Sequence, residues 1–258
     1  MFANERCKII CDKIKAEGRV TTSELCDLFK VSIETVRKDL LLLEQKNQLQ
    51  RVHGGAVSTK TAKYTSLSER KITDVKEKAE LSELAVSFVN EGDVILVGAG
   101  STAIHFARAL KKFENLTIVT YCLDVLEELK GHKSFNLILC GGRLDENENA
   151  FCGALAELMM DYVSCDKAFI FPSAISLKSG ISDFKTDFIR IQQAAIKKTE
   201  KVFMLAENDK YEKRAPFKNV DISPEYTFVS DSKLPGEIKG LYLENDIKIV
   251  TNKGDLKK

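Results

Sequence analysis

Three polar side chains that could contact nucleic acid lie within VSIETVRKDL, residues 31–40: Thr35, Arg37 and Lys38. A helix turns by about 100° per residue, and on that wheel these side chains lie on the flanks and the outer face. The inner face holds the apolar residues Ile33, Val36, Leu40 and Leu43. Arginine and lysine near the start of a helix can contact guanine edges or phosphates, and threonine can contact a thymine methyl group. The competing interpretation is an ordinary solvated charged face.

Two further basic side chains follow this helix, in LQRVHGGAV, residues 49–57. Alternating residues that end in two glycines predict a two-stranded hairpin, or wing. Arg51 and His53 on this wing are expected to reach the DNA backbone or the minor groove. Thr21 and Ser32, which are expected to cap the two helices before the wing, complete the candidate DNA contacts.

Three segments that follow apolar runs could together form an anion site. GAGST, residues 98–102, lies between VILV and a helical pattern, so its backbone N–H groups and hydroxyls can hold a phosphate. GGRLD follows NLILC, and a lysine follows VFMLAEN. Loops of this kind meet at the carboxyl edge of a parallel sheet. The residues that are candidates to bind a small phosphorylated molecule are Gly100, Ser101, Thr102, Gly141, Gly142, Arg143 and Lys210. Taken singly, each loop also fits a plain tight turn, and Lys210 fits a surface lysine.

The candidate DNA contacts require a helical unit in residues 1–57. Isoleucines recur at helical spacing before Gly18, which is placed to end the first helix. TTSELCDLF begins with a capping-box pattern, and its apolar face is made of Leu25, Leu28 and Phe29. Few residues separate the three predicted helices, as in a helix-turn-helix. The unit holds ten Lys or Arg and eight Asp or Glu, so the interpretation depends on spacing rather than charge.

The candidate anion site requires a sheet with helices around it. Residues 58–74 are rich in Ser, Thr and Lys and are predicted to be a linker, with some helix toward its end. From residue 75 to 258, helical patterns alternate with strands predicted at VILV, LTIVTY, NLILC, DKAFIF, KVFML, YTFVSD and IKIVTN. This alternation predicts an α/β fold class: a winged helix-turn-helix followed by a Rossmann-like domain with a mainly parallel sheet.

The overall composition excludes several classes of protein. The 258 residues carry a net charge of +1 and are 44% hydrophobic, as expected of a globular chain without a strong overall field. No apolar run approaches the ~18 residues of a membrane span, and the N-terminus lacks the apolar region of a signal peptide. Seven cysteines without a CxxC pair indicate reduced thiols in the cytoplasm. No metal site, cofactor or catalytic residue is predicted.

Residues 5–56 closely resemble the DNA-binding region of the DeoR family of bacterial transcriptional regulators. The matching run is ER…II…I…G.V…EL…F.VS..TVRKDL..LE…L.RVHGGA, from Glu5 to Ala56. Two positions depart from the family pattern. Lys38 replaces a second arginine that the family often has, which keeps the charge but loses bidentate geometry. Asn47 replaces the usual glycine after the helix, and asparagine is the next best residue at a left-handed cap.

Residues 75–232 resemble the sensor domain of the same family, through DVILVGAGST, LTIVT, LILCGG, Gly153, DKAF and VFMLAENDKY. This resemblance implies a fold similar to ribose-5-phosphate isomerase and glucosamine-6-phosphate deaminase. It also implies a sugar-phosphate effector and a repressor of carbohydrate metabolism genes that binds a double-stranded DNA operator. A homodimer or homotetramer is expected, because operator half-sites are met by related subunits.

Three departures from the family pattern lie at the predicted effector site. Gly98 replaces the usual aspartate before the glycine turn, and Tyr121-Cys122 replaces the usual Asn-Ser after the second strand. FPSAIS, residues 171–176, replaces a loop that contains glycine. The bulk of Tyr121 and the stiffness of Pro172 predict a reshaped pocket, so either the effector is unusual or its site is weakened.

Two other functions fit parts of the sequence. A sugar-phosphate isomerase or deaminase-like enzyme needs a positioned base near the bound carbonyl, and the acidic candidates are Asp166, Asp183, Asp187 and Glu207, with Lys210. No catalytic motif supports this alternative, and it leaves the DNA-binding unit without a role. The other alternative is a ligand-independent DNA-binding regulator that works through protein contacts, which the altered loops favour.

Overall fold

The chain is described by a computed structural model, which covers residues 2–17, 19–46, 48–52, 54–58 and 61–257. The predicted roles of Gly18 and Asn47 at helix ends, and of His53 as a DNA contact, concern residues outside these ranges. The chain divides into two units, residues 1–63 and residues 64–258.

The first unit contains three helices and a small sheet. In chain order its elements are α1 (Ala3–Glu17), β1 (Arg19–Thr21), α2 (Thr22–Phe29), α3 (Ile33–Gln45), β2 (Gln50–Val52) and β3 (Gly55–Val57). The sheet is antiparallel in the order β1-β3-β2. The predicted hairpin of β2 and β3 is therefore present, and β1 adds a third strand that the sequence analysis did not predict.

Gly55 allows β1 and β3 to approach closely. A Cβ atom built on Gly55 would lie 2.1 Å from the carbonyl oxygen of Val20, so a larger residue would push the two strands apart. Val20 is buried in the core of the unit. Gly55, the first residue of β3, thus has a packing role between the two strands.

The core of the first unit is formed mainly by the predicted helix faces. It contains Cys7, Ile10, Ile14, Val20, Leu25, Phe29, Val36, Leu40, Leu43, Leu49 and Ala56. Two predicted core positions are wrong, because Leu28 is 53% exposed and Ile33 is 48% exposed. Leu28 lies beside the buried stripe of α2, and Ile33 is the first residue of α3.

A buried ion pair joins α1 to α3. Arg6 Nε donates to Asp39 Oδ2 at 2.7 Å, and Arg6 Nη2 donates to Asp39 Oδ1 at 3.1 Å. The two side chains are only 10% and 6% exposed. Removing one partner would leave the charge of the other uncompensated, so the pair fixes α3 against α1.

The second unit is built on a parallel sheet. Its strands, in chain order, are β4 (Val94–Val97), β5 (Leu116–Thr120), β6 (Phe135–Leu139), β7 (Arg143–Asp145), β8 (Ala150–Cys152), β9 (Lys167–Ile170), β10 (Ala174–Ser176), β11 (Gly180–Asp183), β12 (Lys201–Leu205), β13 (Phe217–Val220), β14 (Tyr226–Val229) and β15 (Lys248–Val250). The main sheet has seven strands in the order β15-β14-β12-β9-β4-β5-β6. Every pair in it is parallel, and all seven correspond to predicted strands. The predicted α/β fold class is confirmed.

Helices cover both faces of this sheet. They are α4 (Leu67–Ile72), α5 (Val75–Ala85), α6 (Ser101–Leu110), α7 (Leu123–Leu129), α8 (Ala154–Met159), α9 (Thr186–Lys198) and α10 (Gly236–Leu243). Ile95 and Val97 of β4 belong to one apolar cluster, and Leu96 between them belongs to another. Successive strand residues point to opposite faces, so the two clusters are the cores on the two sides of the sheet.

The sequence of residues 150–163, AFCGALAELMMDYV, predicts a single helix, and the structure differs from this prediction. They begin with β8, which pairs with β7 as an antiparallel hairpin, and only then form the short α8. Gly153 separates the two elements with φ +91°, a conformation that glycine adopts readily. A glycine at this φ ends the strand, so the apolar pattern on both sides of it does not form one helix.

The predicted linker, residues 58–74, contains a helix that packs on the second unit. Ser66 caps α4 by accepting the Glu69 N–H at 3.3 Å. Lys71 Nζ donates to Asp124 Oδ1 of α7 at 2.8 Å. The part of this segment from residue 64 onward therefore belongs to the second unit, and a linker stays a prediction for the residues before it.

The strand order reverses beside β4. β5 lies on one side of β4 and β9 on the other, so the loops that follow β4 and β9 diverge at the carboxyl edge of the sheet. Open parallel sheets bind ligands in a crevice of this kind. The GAGST segment, residues 98–102, is the loop after β4 and leads into α6.

Candidate functional site

Local caps set the two helices that carry the candidate DNA contacts. Thr21 Oγ1 accepts the Glu24 N–H at 3.2 Å while Glu24 Oε2 accepts the Thr21 N–H at 2.9 Å, a reciprocal capping box. Lys30 ends α2 in the left-handed region at φ 54°. Ser32 Oγ then accepts the Thr35 N–H at 3.4 Å and starts α3. Two helices joined by so short a turn form a helix-turn-helix. The observed contacts of Thr21 and Ser32 hold helix ends, and their contact with DNA stays a prediction.

The side of α3 that faces away from the core carries exposed charge. The Arg37 side chain is 61% exposed, and its Nη1 donates to Glu34 Oε1 at 3.0 Å on the same helix. Lys38 is exposed, and Thr35 is partly exposed with its hydroxyl 3.0 Å from that of Ser32. A surface ion pair contributes only about 0–1 kcal/mol, so Arg37 can exchange Glu34 for a base edge or a phosphate at little cost.

Arg51 of the wing is held against α3. Its Nε donates to Glu44 Oε2 at 2.7 Å, and its backbone N–H donates to Glu44 Oε1 at 2.8 Å. These two hydrogen bonds, the backbone one first, lower the pKa of Glu44 below its ordinary value. The contact fixes β2 on the last turns of α3. A phosphate contact by Arg51 would have to share the guanidinium with Glu44.

Ile33 is a surface residue that the sequence analysis placed in the core. It begins α3 and is 48% exposed, in the first turn, where recognition helices meet base edges. An apolar side chain there can contact a thymine methyl group. Its place directly after the cap Ser32 was the available signal, because packing along a helix often starts only after its first turn.

Gly100, Ser101 and Thr102 form the start of α6 at the carboxyl edge of the sheet. Gly100 is the N-cap with φ +133°, a backbone conformation that favours glycine. Ser101 and Thr102 are buried, and Thr102 Oγ1 donates to Glu207 Oε1 at 2.7 Å. The N-cap Gly100 has no side chain with which to cap α6, and the first N–H groups of a helix lack partners within the helix, so they can bind an anion.

Two departures from the family pattern meet beside this loop. A Cβ atom on Gly98 would lie 3.2 Å from the hydroxyl oxygen of Tyr121 and 3.3 Å from the carbonyl oxygen of Phe169. Tyr121 therefore occupies space that an aspartate at position 98 would need. The tyrosine is fully buried, and burial raises its pKa above the ordinary value. Among the described residues, the Gln192 amide and the Ala99 backbone lie near the hydroxyl, but neither forms a well-aligned hydrogen bond with it.

The observed contacts of Gly141, Gly142 and Arg143 are made with α8, the β7–β8 hairpin and α9, and the first of them is the Gly141 N–H donating to Met159 Sδ at 3.3 Å. A Cβ atom on Gly142, at φ +151°, would lie 2.6 Å from the carbonyl oxygen of Cys152, so glycine allows β8 to lie close to the segment that joins β6 and β7. Arg143 is exposed and pairs with Asp187 at the start of α9. β6 is an edge strand, separated from β4 by β5. A role for these three residues in effector binding stays a prediction.

Lys210 follows β12, which is separated from β4 by β9. It lies in a short 3-10 turn, and its Nζ donates to Asp209 Oδ2 at 3.0 Å. The residue of this segment that reaches the GAGST loop is Glu207, through the Thr102 hydroxyl. Two predicted segments are thus connected by a residue that was considered only as a catalytic base. Lys210 as an effector ligand stays a prediction.

Arg70 of α4 reaches the crevice, although the composition of residues 58–74 predicts a linker there. Its Nη1 lies 3.9 Å from the position of a Cβ atom on Gly100. Its Nη2 pairs with Glu148 in the turn of the β7–β8 hairpin, and Tyr64 Oη donates to Glu148 Oε1 at 3.1 Å. The capping-box pattern in SLSE, residues 66–69, was the signal that could have identified α4.

The carboxylates considered for proton transfer are dispersed. Asp166 accepts the Val94 N–H at 2.8 Å and so lies at the amino ends of the strands, opposite the crevice. Asp187 is partly exposed at the start of α9. Asp183 lies at the carboxyl edge, accepts the Ser173 hydroxyl at 2.7 Å, and has its pKa raised by burial. In the part of the chain that the structure describes, no group of three or more His, Cys, Asp or Glu side chains could hold a metal.

A winged helix-turn-helix with an exposed basic helix, followed by a parallel α/β unit with a ligand crevice, defines a class of transcriptional regulators with a separate sensor domain. Residues 6–62 match the DeoR-like helix-turn-helix domain, and residues 73–232 match the DeoR C terminal sensor domain. The chain belongs to the DeoR family and is a DNA-binding transcriptional regulator. None of the described helices is long and apolar enough to cross a membrane.

Several bacterial regulators are similar over most of the chain. The HTH-type transcriptional regulator YulB of Bacillus subtilis is 30% identical over 93% of this chain and 94% of its own length. The lactose phosphotransferase system repressor of Lactococcus lactis is 31% identical over 83% and 85%. The glycerol-3-phosphate regulon repressor of Escherichia coli is 27% identical over 96% and 99%.

Solved structures show a weaker likeness. Ribose 5-phosphate isomerase A of Methanocaldococcus jannaschii is similar with a TM-score of 0.39 and 15% identity, over 52% of this chain and 53% of that one. The eIF2B beta subunit of Chaetomium thermophilum is similar with a TM-score of 0.44 and 13% identity, over 70% of this chain and 55% of that one. The match thus spans about half the length of each of these structures.

Proposed function

We propose that this regulator represses carbohydrate metabolism genes and that a phosphorylated sugar, bound in the second unit, controls its affinity for a DNA operator. Two relatives are named as a lactose phosphotransferase system repressor and a glycerol-3-phosphate regulon repressor, which supports both the gene class and the effector class. A bacterial regulator of this kind acts in the cytoplasm, as a homodimer or homotetramer.

One observation carries the effector part of the proposal. The uncapped start of α6 lies at the carboxyl edge beside the strand where the sheet order reverses, and the Arg70 guanidinium lies next to Gly100 of that start. Helix N–H groups and a guanidinium are the donors that bind phosphate in proteins. A neutral sugar would gain much less from this combination.

The effector proposal is tested by thermal unfolding of the full chain with a panel of pentose, hexose and triose phosphates. Each phosphate is paired with the same sugar without phosphate as its control. A ligand at 100 times its Kd stabilises the folded state by about 2.7 kcal/mol, so at least one phosphate should raise the melting temperature by several degrees. If no phosphate raises it more than its unphosphorylated partner, the effector proposal is wrong.

The DNA part is tested with duplexes that tile the DNA upstream of the gene itself and its neighbours. Fluorescence anisotropy should find one segment that binds at least about 1,000 times more tightly than random sequence. Light scattering of the protein, alone and with that duplex, then measures whether two or four copies are present. A monomer on a single half-site would contradict the expected dimer or tetramer.

A second candidate function is a regulator that works without an effector. It is favoured by the pairing already present in the crevice, because Arg70 is engaged by Glu148 and Thr102 by Glu207. A small ligand must displace these internal contacts before it binds. The same thermal panel separates the two candidates, since stabilisation by a sugar phosphate excludes the ligand-independent one.

A further inference from the structure

The helix α4 is the first element of the second unit and is closely connected along the chain to the DNA-binding unit. The first unit ends at residue 63, and α4 begins at Leu67. Leu67 is buried, and Arg70 Nε donates to the Thr65 carbonyl oxygen at 3.0 Å. A change in the position of α4 would therefore be passed to the DNA-binding unit through very few residues.

Arg70 lies between a carboxylate and the candidate anion site. On one side its Nη2 pairs with Glu148. On the other side its Nη1 lies 3.9 Å from the Cβ position of Gly100, at the start of α6. The Arg70 side chain is 24% exposed and that of Glu148 is 11% exposed, so the pair is mostly shielded from water yet accessible from the crevice.

Arg70 is surrounded by carboxylates, so an anion that enters the crevice would need its positive charge. Burial has the largest effect on the pKa of Asp183 and raises it. The charge of Glu148 raises this pKa further and the charge of Arg70 lowers it, so Glu148, Asp183 and Arg70 lie close enough to interact electrostatically. An incoming phosphate is repelled by both carboxylates. A phosphate beside Gly100 would compete with Glu148 for the guanidinium, whose Nη1 already lies on the Gly100 side.

A second buried group points to a ligand at the same place. The hydroxyl of Tyr121 lies 3.2 Å from the Cβ position of Gly98, within the GAGST loop, and the side chain is 0% exposed. It forms no well-aligned hydrogen bond with any residue that the structure describes. A buried hydroxyl without a well-aligned hydrogen bond is costly, so a small movement that opens it to the crevice would allow a phosphate or sugar oxygen to satisfy it.

The C-terminal end of α4 is connected to the GAGST loop by a chain of side-chain contacts. Lys78 of α5 is 3% exposed, and its Nζ donates to the carbonyl oxygen of Arg70 at 3.0 Å and to that of Thr73. Lys78 Nζ also lies 3.5 Å from Glu207 Oε1, the atom that accepts the Thr102 hydroxyl. The last turn of α4 is thus connected to the first turn of α6 through two buried charges.

We propose that Arg70 is a ligand of the effector's anionic group and that binding exchanges Glu148 for that group, which shifts α4 and so signals toward the DNA-binding unit. This inference rests on the effector proposal, since it concerns the same crevice. It assigns a direct role to α4, which follows the DNA-binding unit, and makes Glu148 an internal competitor of the effector.

The test uses the full chain, with inorganic phosphate and the stabilising sugar phosphate from the thermal panel as probes. Affinities are measured by calorimetry for Arg70→Met, Glu148→Gln and Lys71→Met. Lys71→Met is the matched control, because Lys71 neighbours Arg70 on α4 but pairs with Asp124 of α7. Arg70→Met should weaken phosphate binding about tenfold or more through loss of a charge-assisted contact. Glu148→Gln should strengthen it about threefold or more, and Lys71→Met should leave it unchanged.

Hydrogen exchange of the amides in residues 64–74 then measures the shift of α4. Both probes should change this exchange in the unaltered protein and in Lys71→Met but not in Arg70→Met. If the Arg70–Glu148 pair has a purely structural role, Glu148→Gln should weaken phosphate binding instead of strengthening it, because the loss of either partner would then have the same effect. Binding that is equal in all variants, or exchange in 64–74 that does not respond, overturns the inference while the effector proposal stands. Failure of every sugar phosphate and of phosphate to bind the unaltered protein overturns both.

Discussion

Gly98 and Tyr121 should behave as one coupled unit, and a double-mutant cycle tests this. Gly98→Asp restores the residue that the family pattern has before the glycine turn, and Tyr121→Asn restores the usual asparagine. In this chain the tyrosine hydroxyl lies 3.2 Å from where the Cβ of residue 98 would be. Each change alone should therefore be harmful, and the two together should be much less so.

The expected magnitudes follow from the contacts at each position. For Gly98→Asp, the Cβ would also lie 3.3 Å from the Phe169 carbonyl oxygen and 3.4 Å from Phe171 Cδ2. Overpacking costs about 1–3 kcal/mol, and a buried carboxylate beside a carbonyl oxygen adds to it, which gives about 3–4 kcal/mol. Tyr121→Asn removes a fully buried ring that stacks with Phe188 at a centroid distance of 6.0 Å, and a large core truncation costs about 3–5 kcal/mol.

The double variant should recover part of this loss. Asparagine leaves room for the aspartate and can donate a hydrogen bond to it, so the two changes together should cost about 2 kcal/mol less than their sum. Urea unfolding of the second unit, followed by circular dichroism, measures all four free energies. Gly98→Asp combined with Tyr121→Phe is a useful control, because it removes only the hydroxyl that approaches residue 98. If the losses of unfolding free energy in the two single variants add up to the loss in the double variant within about 0.5 kcal/mol, Tyr121 does not occupy the space of an aspartate at position 98.

Three further predictions concern single side chains. Arg37→Ala should abolish the preference for the operator, because the binding free energy that distinguishes the contacted bases falls by about 1–3 kcal/mol. The melting temperature should not change. Lys130→Ala, which breaks another exposed i,i+3 ion pair, is the control and should leave operator affinity intact. Lys38→Ala should weaken binding to all sequences alike and reduce the salt slope by about 1; an unchanged slope would exclude a phosphate contact. Because burial raises the pKa of Asp183, its charge disfavours the folded state once the pH exceeds the ordinary carboxyl value of 3.8. Asp183→Asn should therefore raise the melting temperature at pH 7 and much less near pH 4, and equal shifts at both would refute this.

Elements with a strong local pattern could be predicted from the sequence. The buried side of α3 was recognised from Val36, Leu40 and Leu43, because a helix that packs along its length repeats its apolar residues at helical spacing. The strands of the main sheet were recognised for a related reason, since a strand covered on both faces is a short continuous apolar run. The wrong core position at Ile33 shows the limit of this reasoning. A helical wheel gives the direction in which each side chain points, but it does not show at which residue of the helix the packing against the core begins.

Features that depend on distant contacts could not be predicted in the same way. β1 has three residues and pairs with β3, so its strand character comes from a partner remote in sequence. Glu148 reaches Arg70 only because the β7–β8 hairpin folds back over the carboxyl edge. The polar composition of residues 58–74 fits a linker, and only the tertiary contacts of Arg70 and Lys71 show that its second half is part of the sensor unit.

An effector can change DNA affinity only if it binds two states of the protein with different free energies. A crevice of unengaged donors would bind an anion tightly but would change few contacts elsewhere. In this chain two side-chain donors of the crevice are already engaged, Arg70 by Glu148 and the Thr102 hydroxyl by Glu207, which in turn lies beside Lys78. An anion that takes these donors must leave Glu148 and Glu207 with fewer partners, and both carboxylates contact the groups that hold α4. At the proposed effector site, we therefore expect the internal pairing to lower the affinity for the effector and, through the same contacts, to transmit effector binding to α4.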